Sequence, residues 1–515
     1  MTYVNETSLG PFSAKVRGNV LVPRPFYLTK LDGIGLFRIP GTIGTLPDDP
    51  LLEVFSFYVE EAYEAYNPDG FYGIEKLEAW CTLVHVCRRW RNLVFASPRR
   101  LNLRLVCTRR KPVREVLGIW PTLPIVIDDQ ELGRHRQPRR EHVDNIIAAL
   151  EHRNRVCQIS LGNIPLSLCP IFSAMMQEPF PALTRLQLNS EDESPMLCPD
   201  SFLGGSAPML RSLTLQHIPF PALPTLLLTT KDLVELRLWS IPHSGYLSPN
   251  AMVICLSSLT KLENLILRFK SPESRPNRSI RRFSSLARAT LPSLTQFRFY
   301  GVNEYIEDLV AQIDTPLLHH LSISLFGEPL FDISQLNQFV GRVEDFKVLR
   351  RAILDYDSYS NAAHFSLSED PVNGMTLVLP ISGTELEFQV PFLEALSSSS
   401  SSPLRLSSLE RLDILIGYPE TGRWEYYTEN TPWVELLQPF TAVKDLYLDN
   451  RSVPHLSHTL QELTMERATE VLPALQRIFV QGYEQPGDTN AQETIRSFIT
   501  ARQLSGHPVT VHNWE

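Results

Sequence analysis

At 515 residues and 58.6 kDa the chain is too long for one ordinary core, and its length fits about three to four structural units. Apolar residues make up 43% and charged residues 20%, near the globular average, which excludes wholesale disorder. The net charge of −9 is blocked along the chain. Residues 1–87 carry 6 basic against 11 acidic side chains, residues 88–155 carry 16 against 7, and residues 156–515 carry 26 against 39.

The basic block includes Arg88, Arg89, Arg91, Arg99, Arg100, Arg109, Arg110, Lys111, Arg134, Arg136, Arg139 and Arg140. It has no interleaved aromatics and the sequence pI is near 5.9, so a solvated basic face is expected and no nucleic-acid partner. Seven cysteines at irregular gaps, without Cys-x-x-Cys, suggest neither a disulfide framework nor a zinc site. The opening MTYVNETSLG lacks a basic stretch followed by an apolar run, and no apolar run approaches the length of a membrane span. The expectation is a soluble protein of a reducing compartment, cytoplasmic or nuclear, with no membrane partner.

Residues 1–45 hold four prolines and six glycines without helical or strand period, and read as an irregular leader. Residues 46–98 differ. Asp49 before Pro50 suits a helix N-cap with proline in the first helical position. Leu51, Leu52, Val54, Phe55 and Tyr58 then follow at helical spacing. A second helix is predicted from about Glu75 to Ala96, with two apolar stripes: Leu77, Trp80, Val84 and Cys87 on one, Leu83, Val86, Trp90 and Leu93 on the other. One stripe is expected to pack internally and the other to meet a partner.

From Leu101 the rule changes. Leu101, Leu103 and Leu105 alternate, as do Leu123, Ile125 and Ile127. A unit of the form φ-x-x-φ-x-φ (φ apolar) then opens at Val156, Leu183, Leu210, Leu233, Leu262, Leu294, Leu318, Val343, Leu409, Val443 and Leu475. Steps run from 23 to 34 residues, with one of 66, and helix-compatible stretches such as Val143–Leu150 and Tyr305–Ile313 lie between. With 40 prolines against 24 glycines, the pattern describes many short elements stopped by proline. A short strand plus helix cannot bury its own leucines, so neighbouring units must stack and the sheet becomes parallel. The expected fold is therefore α/β, a distorted repeat array over 99–515. An irregular insertion falls at about 350–405, with a hairpin suggested at 375–380 and 385–390.

Catalysis finds no carrier. The sequence lacks Gly-x-Ser-x-Gly, the phosphate loop Gly-x-x-x-x-Gly-Lys-Ser/Thr and His-Glu-x-x-His. Cys81, His85 and Cys87 do not converge on a helix and lack a fourth ligand. No enzyme activity, cofactor or metal is expected. What remains is surface. Residues between the apolar anchors of each strand point to the open sheet face, and Arg237, Trp239, Arg268, Arg298 and Tyr300 are candidates there for binding a protein substrate, with Tyr447 and Phe479 as further aromatic anchors. Eleven strands at ~4.8 Å spacing span about 50 Å, the scale of a protein epitope.

Three stretches carry a family resemblance: Leu46-Pro47-Asp48-Asp49 with Leu51-Leu52-x-Val54-Phe55; Val84-His85-Val86-Cys87-Arg88-Arg89-Trp90-Arg91; and Ser97-Pro98 through Leu103 with Trp120-Pro121 and Leu123–Ile127. Residues 46–98 resemble an F-box, and the whole resembles the fungal class of F-box proteins with leucine-rich-repeat-like C-terminal regions. Pro50 and a long stretch around 60–75 depart from the family pattern. The resemblance implies a helical F-box followed by an irregular solenoid. It also implies a Skp-type adaptor as partner, through it a cullin-RING ubiquitin ligase, and a protein substrate held by the repeats. Adaptor docking would fall to Leu46, Pro47, Leu51, Leu52, Val54, Phe55, Val84, Cys87, Trp90 and Leu93. The alternative is a scaffold outside any ligase, whose N-terminal helices merely cap the array.

Overall fold

The structure, a computed structural model, describes residues 46–64, 78–108, 113–119, 123–129, 140–164, 169–190, 201–276, 288–326, 333–357, 362–367, 374–380, 406–416, 433–449, 451–453, 456, 460, 469–481 and 489–514. The chain divides into two units, Met1–Glu53 and Val54–Glu515. In the first, residues 46–53 open α1 (Asp48–Glu64). The helix starts two residues earlier than predicted, because Leu51 N already bonds Pro47 O at 3.2 Å. Asp49 therefore lies in the first turn beside Asp48, where the helix dipole favours its charge, instead of capping it.

In the second unit the predicted single helix over 75–96 is two: α2 (Trp80–Val84) and α3 (Arg88–Ala96). The chain extends at Cys87, whose Sγ accepts from Trp90 N at 3.5 Å as the N-cap of α3. The break redistributes the two stripes. Trp80, Leu83, Val84 and Val94 are buried, while Val86 and Cys87 turn outward.

Beyond them runs a 16-stranded sheet with helices between most strands. Its first strands are β1 (Leu105–Cys107), β2 (Ile125–Asp129) and β3 (Val156–Ile164), linked through α4 (Val113–Ile119) and α5 (Arg140–Leu150). The Leu101–Leu105 alternation is mostly a turn, not a strand. Asn102 takes a positive φ of 47° there, so pairing begins only at Leu105. Next come β4 (Arg185–Ser190), β5 (Ser212–Gln216), β6 (Glu235–Ile241), β7 (Asn264–Phe269), β9 (Gln296–Gly301) and β11 (His320–Leu325). All pair in parallel. The intervening β8 (Ala289–Thr290) and β10 (Ile313–Asp314) form a separate two-stranded sheet.

The cause lies in the anchors. Leu186, Leu213, Leu236, Leu265, Phe297 and Leu321 align in register across six strands, each 0% exposed. Each such side chain stabilises the stack by about 1.5–3 kcal/mol on burial. Below them, one carbonyl per unit accepts two consecutive N–H groups of the next. Thr184 O takes Arg211 N and Ser212 N, Arg211 O takes Val234 N and Glu235 N, and the pattern continues through Val234, Glu263 and Thr295. The units therefore share backbone partners as well as leucines, which fixes their register.

The insertion replaces simple succession with a reversal. After β11 come β12 (Arg351–Asp357), β13 (Ala362–Leu367) and β14 (Gly374–Pro380), but their order in the sheet is β11-β14-β13-β12. β13 is antiparallel to both neighbours, while β14 lies parallel to β11 and β12 parallel to β15 (Arg411–Ile416). The unit predicted at Val343 is not a strand. Glu344–Val348 is a 3₁₀ turn in which Val343 and Phe346 are buried three residues apart. Of the suggested hairpin, 375–380 is in β14 and 385–390 lies outside the described residues. The sheet ends with β16 (Asp445–Leu448), β17 (Arg477–Gln481) and β18 (Thr510–Trp514), the last entered from the helix Thr489–Leu504. Among the described residues no helix is long and apolar enough to cross a membrane.

Candidate functional site

Two surfaces come forward. The first belongs to the N-terminal helices. Inwardly, Phe55 of α1 meets Trp90 of α3 edge-on at 4.7 Å. Trp80 donates from Nε1 to Arg104 O at 2.9 Å, and Glu78 Oε1 accepts from Val106 N at 2.9 Å. These two bonds satisfy backbone groups at the first strand, where an open edge would invite foreign pairing. Tyr63 donates to Asn102 O at 2.7 Å, and burial pushes its phenol up to about 12 despite the opposing Arg104.

Outwardly the same helices leave apolar groups in solvent. Val54, Phe57 and Tyr58, at i, i+3 and i+4 on α1, are 45%, 70% and 41% exposed, and Val86 is 56% exposed. Of the residues expected to dock an adaptor, Pro47, Val54 and Cys87 are exposed, and Leu46, Trp90 and Leu93 are half-buried. Leu51, Leu52, Phe55 and Val84 are buried. Phe57, Tyr58 and Val86, outside that set, are the large apolar side chains that join Val54 in solvent here. The signal was in the sequence: a helix with apolar residues at 51, 52, 54, 55, 57, 58 and 59 has more greasy positions than one face can bury.

The second surface is the open face of the sheet. Trp239, Arg268 and Tyr300 lie side by side on β6, β7 and β9, with Arg268 Cζ 5.8 Å from the Trp239 ring and 4.8 Å from that of Tyr300. Arg298 stands opposite Ile266, and Arg237 opposite Ile266 from the other side. The five predicted substrate-binding residues thus fall on three adjacent strands of one face, and Arg237 there meets Glu235 at 2.6 Å. Glu235 also accepts from Ser212 Oγ at 2.7 Å and lies 3.5 Å from Arg185. A shallow polar trough of about 520 Å³, lined by Arg185, Ser212, Glu235, Asn264 and Gln296 among others, runs beside these rows. His320 is pulled below the ordinary imidazole range, first by burial and then by Arg298.

Farther along the same sheet, Tyr447 stacks on Phe479 at 4.3 Å and Phe479 on His512 at 5.2 Å. The Arg411 guanidinium covers Tyr447 at 3.6 Å. Asp413, 1% exposed, is bridged by Arg351 and Arg411. The strand carrying His512 and Trp514 lacks the leucine spacing of the earlier units, so periodicity does not announce it. Among the described residues no cluster of His, Cys, Asp and Glu could hold a metal ion. The chain matches no protein-family model and, at a significant level, no curated protein.

Proposed function

We propose that this chain is the substrate-recognition subunit of an SCF-type ubiquitin ligase. In this reading residues 46–98 are an F-box that docks a Skp-type adaptor, and residues 99–515 are an irregular leucine-rich-repeat-like solenoid that holds a protein substrate. The chain performs no chemistry itself. A cullin-RING partner supplies the ubiquitin transfer, and the receptor raises the effective concentration of a substrate lysine near it. Such a complex would work in the cytoplasm or the nucleus.

One observation carries the reading: the N-terminal helices bury one side yet leave Val54, Phe57, Tyr58 and Val86 in solvent. A helix that served only as a cap would gain nothing from an exposed phenylalanine, whereas a docking helix needs one. A second reading has its own support. The bonds from Trp80 and to Glu78 cover the first strand, which is what a cap does, and a scaffold outside any ligase would need no more. Co-purification with a Skp-type adaptor separates them. The intact chain is expected to retain the adaptor, and Phe57→Asp with Val86→Asp to weaken retention by about tenfold or more without moving the unfolding midpoint. An intact, folded chain that retains no adaptor refutes the ligase reading.

A further inference from the structure

We propose that the open face of β6, β7 and β9 docks an extended, carboxylate-rich peptide segment of a partner protein, gripped by Arg268 and Arg298 between Trp239 and Tyr300. The inference rests on the ligase reading only in identifying that partner as the ligase substrate.

The charge balance of this face is the opposite of the chain's. The outward positions of β4, β5, β6, β7, β9 and β11 hold four arginines and, among the described residues, one carboxylate, while the whole chain is at −9. That carboxylate, Glu235, is taken by Arg185, Arg237 and Ser212. Arg268 and Arg298 have no hydrogen-bonding or ion-pair partner among the described residues, and both are exposed. Two unneutralised cations on adjacent strands of an acidic protein attract an anionic segment and reject a basic one.

The rings beside Arg268 add orientation. Aromatic contacts take up the flat faces of a guanidinium and leave its N–H fork at the edge, the part that recognises carboxylates. Holding the side chain this way removes conformational freedom before the ligand arrives. The spacing fits an extended chain. Arg298 pairs with Ile266 and Arg268 with Tyr300, so the two arginines lie one strand apart and two residues along. Sheet geometry makes that diagonal about 8 Å, close to the ~7 Å between side chains i and i+2 of an extended peptide. Two acids at i and i+2 meet two arginines; one phosphate would engage one site. The adjoining trough, with the amides of Asn264 and Gln296, offers hydrogen-bonding partners for the peptide backbone.

The test uses the full-length chain, fluorophore-labelled, on an array of dodecapeptides graded in Asp and Glu content. Each peptide is paired with its Asn/Gln counterpart and with a copy bearing one phosphoserine. The expected result is enrichment of peptides with acids at i and i+2. Arg268→Gln with Arg298→Gln is expected to lower that signal by about tenfold or more, the loss of one or two charge-assisted contacts. Arg268→Lys should weaken it too, since the charge remains but the planar fork is gone. Equal binding of the Asn/Gln set, unchanged binding by the double variant, or binding that requires phosphoserine overturns the inference. Adaptor capture is measured on the same preparations. Lost peptide selectivity with intact capture refutes this inference alone, and lost capture with intact selectivity refutes the ligase reading alone.

Discussion

Arg502 offers a direct test of how the last units are held. It lies on the helix Thr489–Leu504, is 0% exposed, and donates from its guanidinium to Leu472 O, Pro473 O and Leu475 O at 3.3, 3.3 and 3.2 Å. One buried cation thus satisfies three carbonyls of the turn that leads into β17. Burial pulls that guanidinium below arginine's ordinary range. Arg502→Met keeps the stem and the packing but removes the donors. Hydrogen bonds to a charged group are worth about 1.5–3 kcal/mol each, and three long ones sharing a desolvated cation lose part of that to the cost of burying it. The expected net loss is about 2–4 kcal/mol, or roughly 30- to 700-fold in the local opening constant. If the proposed solenoid holds, its units communicate mainly with their neighbours and the loss should stay local. Amide hydrogen exchange is the assay: faster exchange in β17 and β18, with β4 to β9 unchanged. Equal protection in wild type and variant would refute the bonding argument. Loss spread evenly along the sheet would refute the nearest-neighbour picture.

Two further substitutions probe the interior and the face. Tyr305 is 0% exposed and its hydroxyl has no partner among the described residues, so Tyr305→Phe should be neutral or stabilising by up to about 1 kcal/mol in thermal unfolding, and a clear loss would contradict it. His320, depressed by burial and by Arg298, stays neutral in the folded chain to lower pH than in the unfolded one. Its contribution to stability is thus present above the ordinary histidine range and lost as pH falls through the folded value. In a ¹³C-histidine titration Arg298→Gln should move His320 upward, and an unmoved titration would remove Arg298 as a cause.

The repeat units were legible because their rule is local. Ten of the eleven φ-x-x-φ-x-φ segments precede or begin strands, since the same leucines that mark the pattern, from Leu183 to Leu475, are the ones buried. What failed was non-local or unsignalled. Val343, Phe346 and Val348 satisfy the strand template, yet spacing by three also fits a 3₁₀ turn, and Val348 ends up 64% exposed. The reversed order of β12, β13 and β14 is decided by which edge each strand meets, and periodicity does not encode that. The break before α3 had no glycine or proline to announce it; His85, Val86 and Cys87 read as helix, and only the cap on Trp90 N reveals it. On the sheet face, alternation alone placed Trp239, Arg268 and Tyr300 on one side. Their contact needed the register of three strands.

The proposed ligase-receptor function requires the outer side of the N-terminal helices to meet another protein. Hydroxyl-radical footprinting of the full-length chain, with and without a purified Skp-type adaptor, reads this side chain by side chain. Protection of Phe57, Tyr58, Val86 and Cys87 is expected, with Trp239 and Tyr300 oxidised as before. If the adaptor leaves Phe57 and Val86 as reactive as in the free chain, the ligase-receptor account is contradicted.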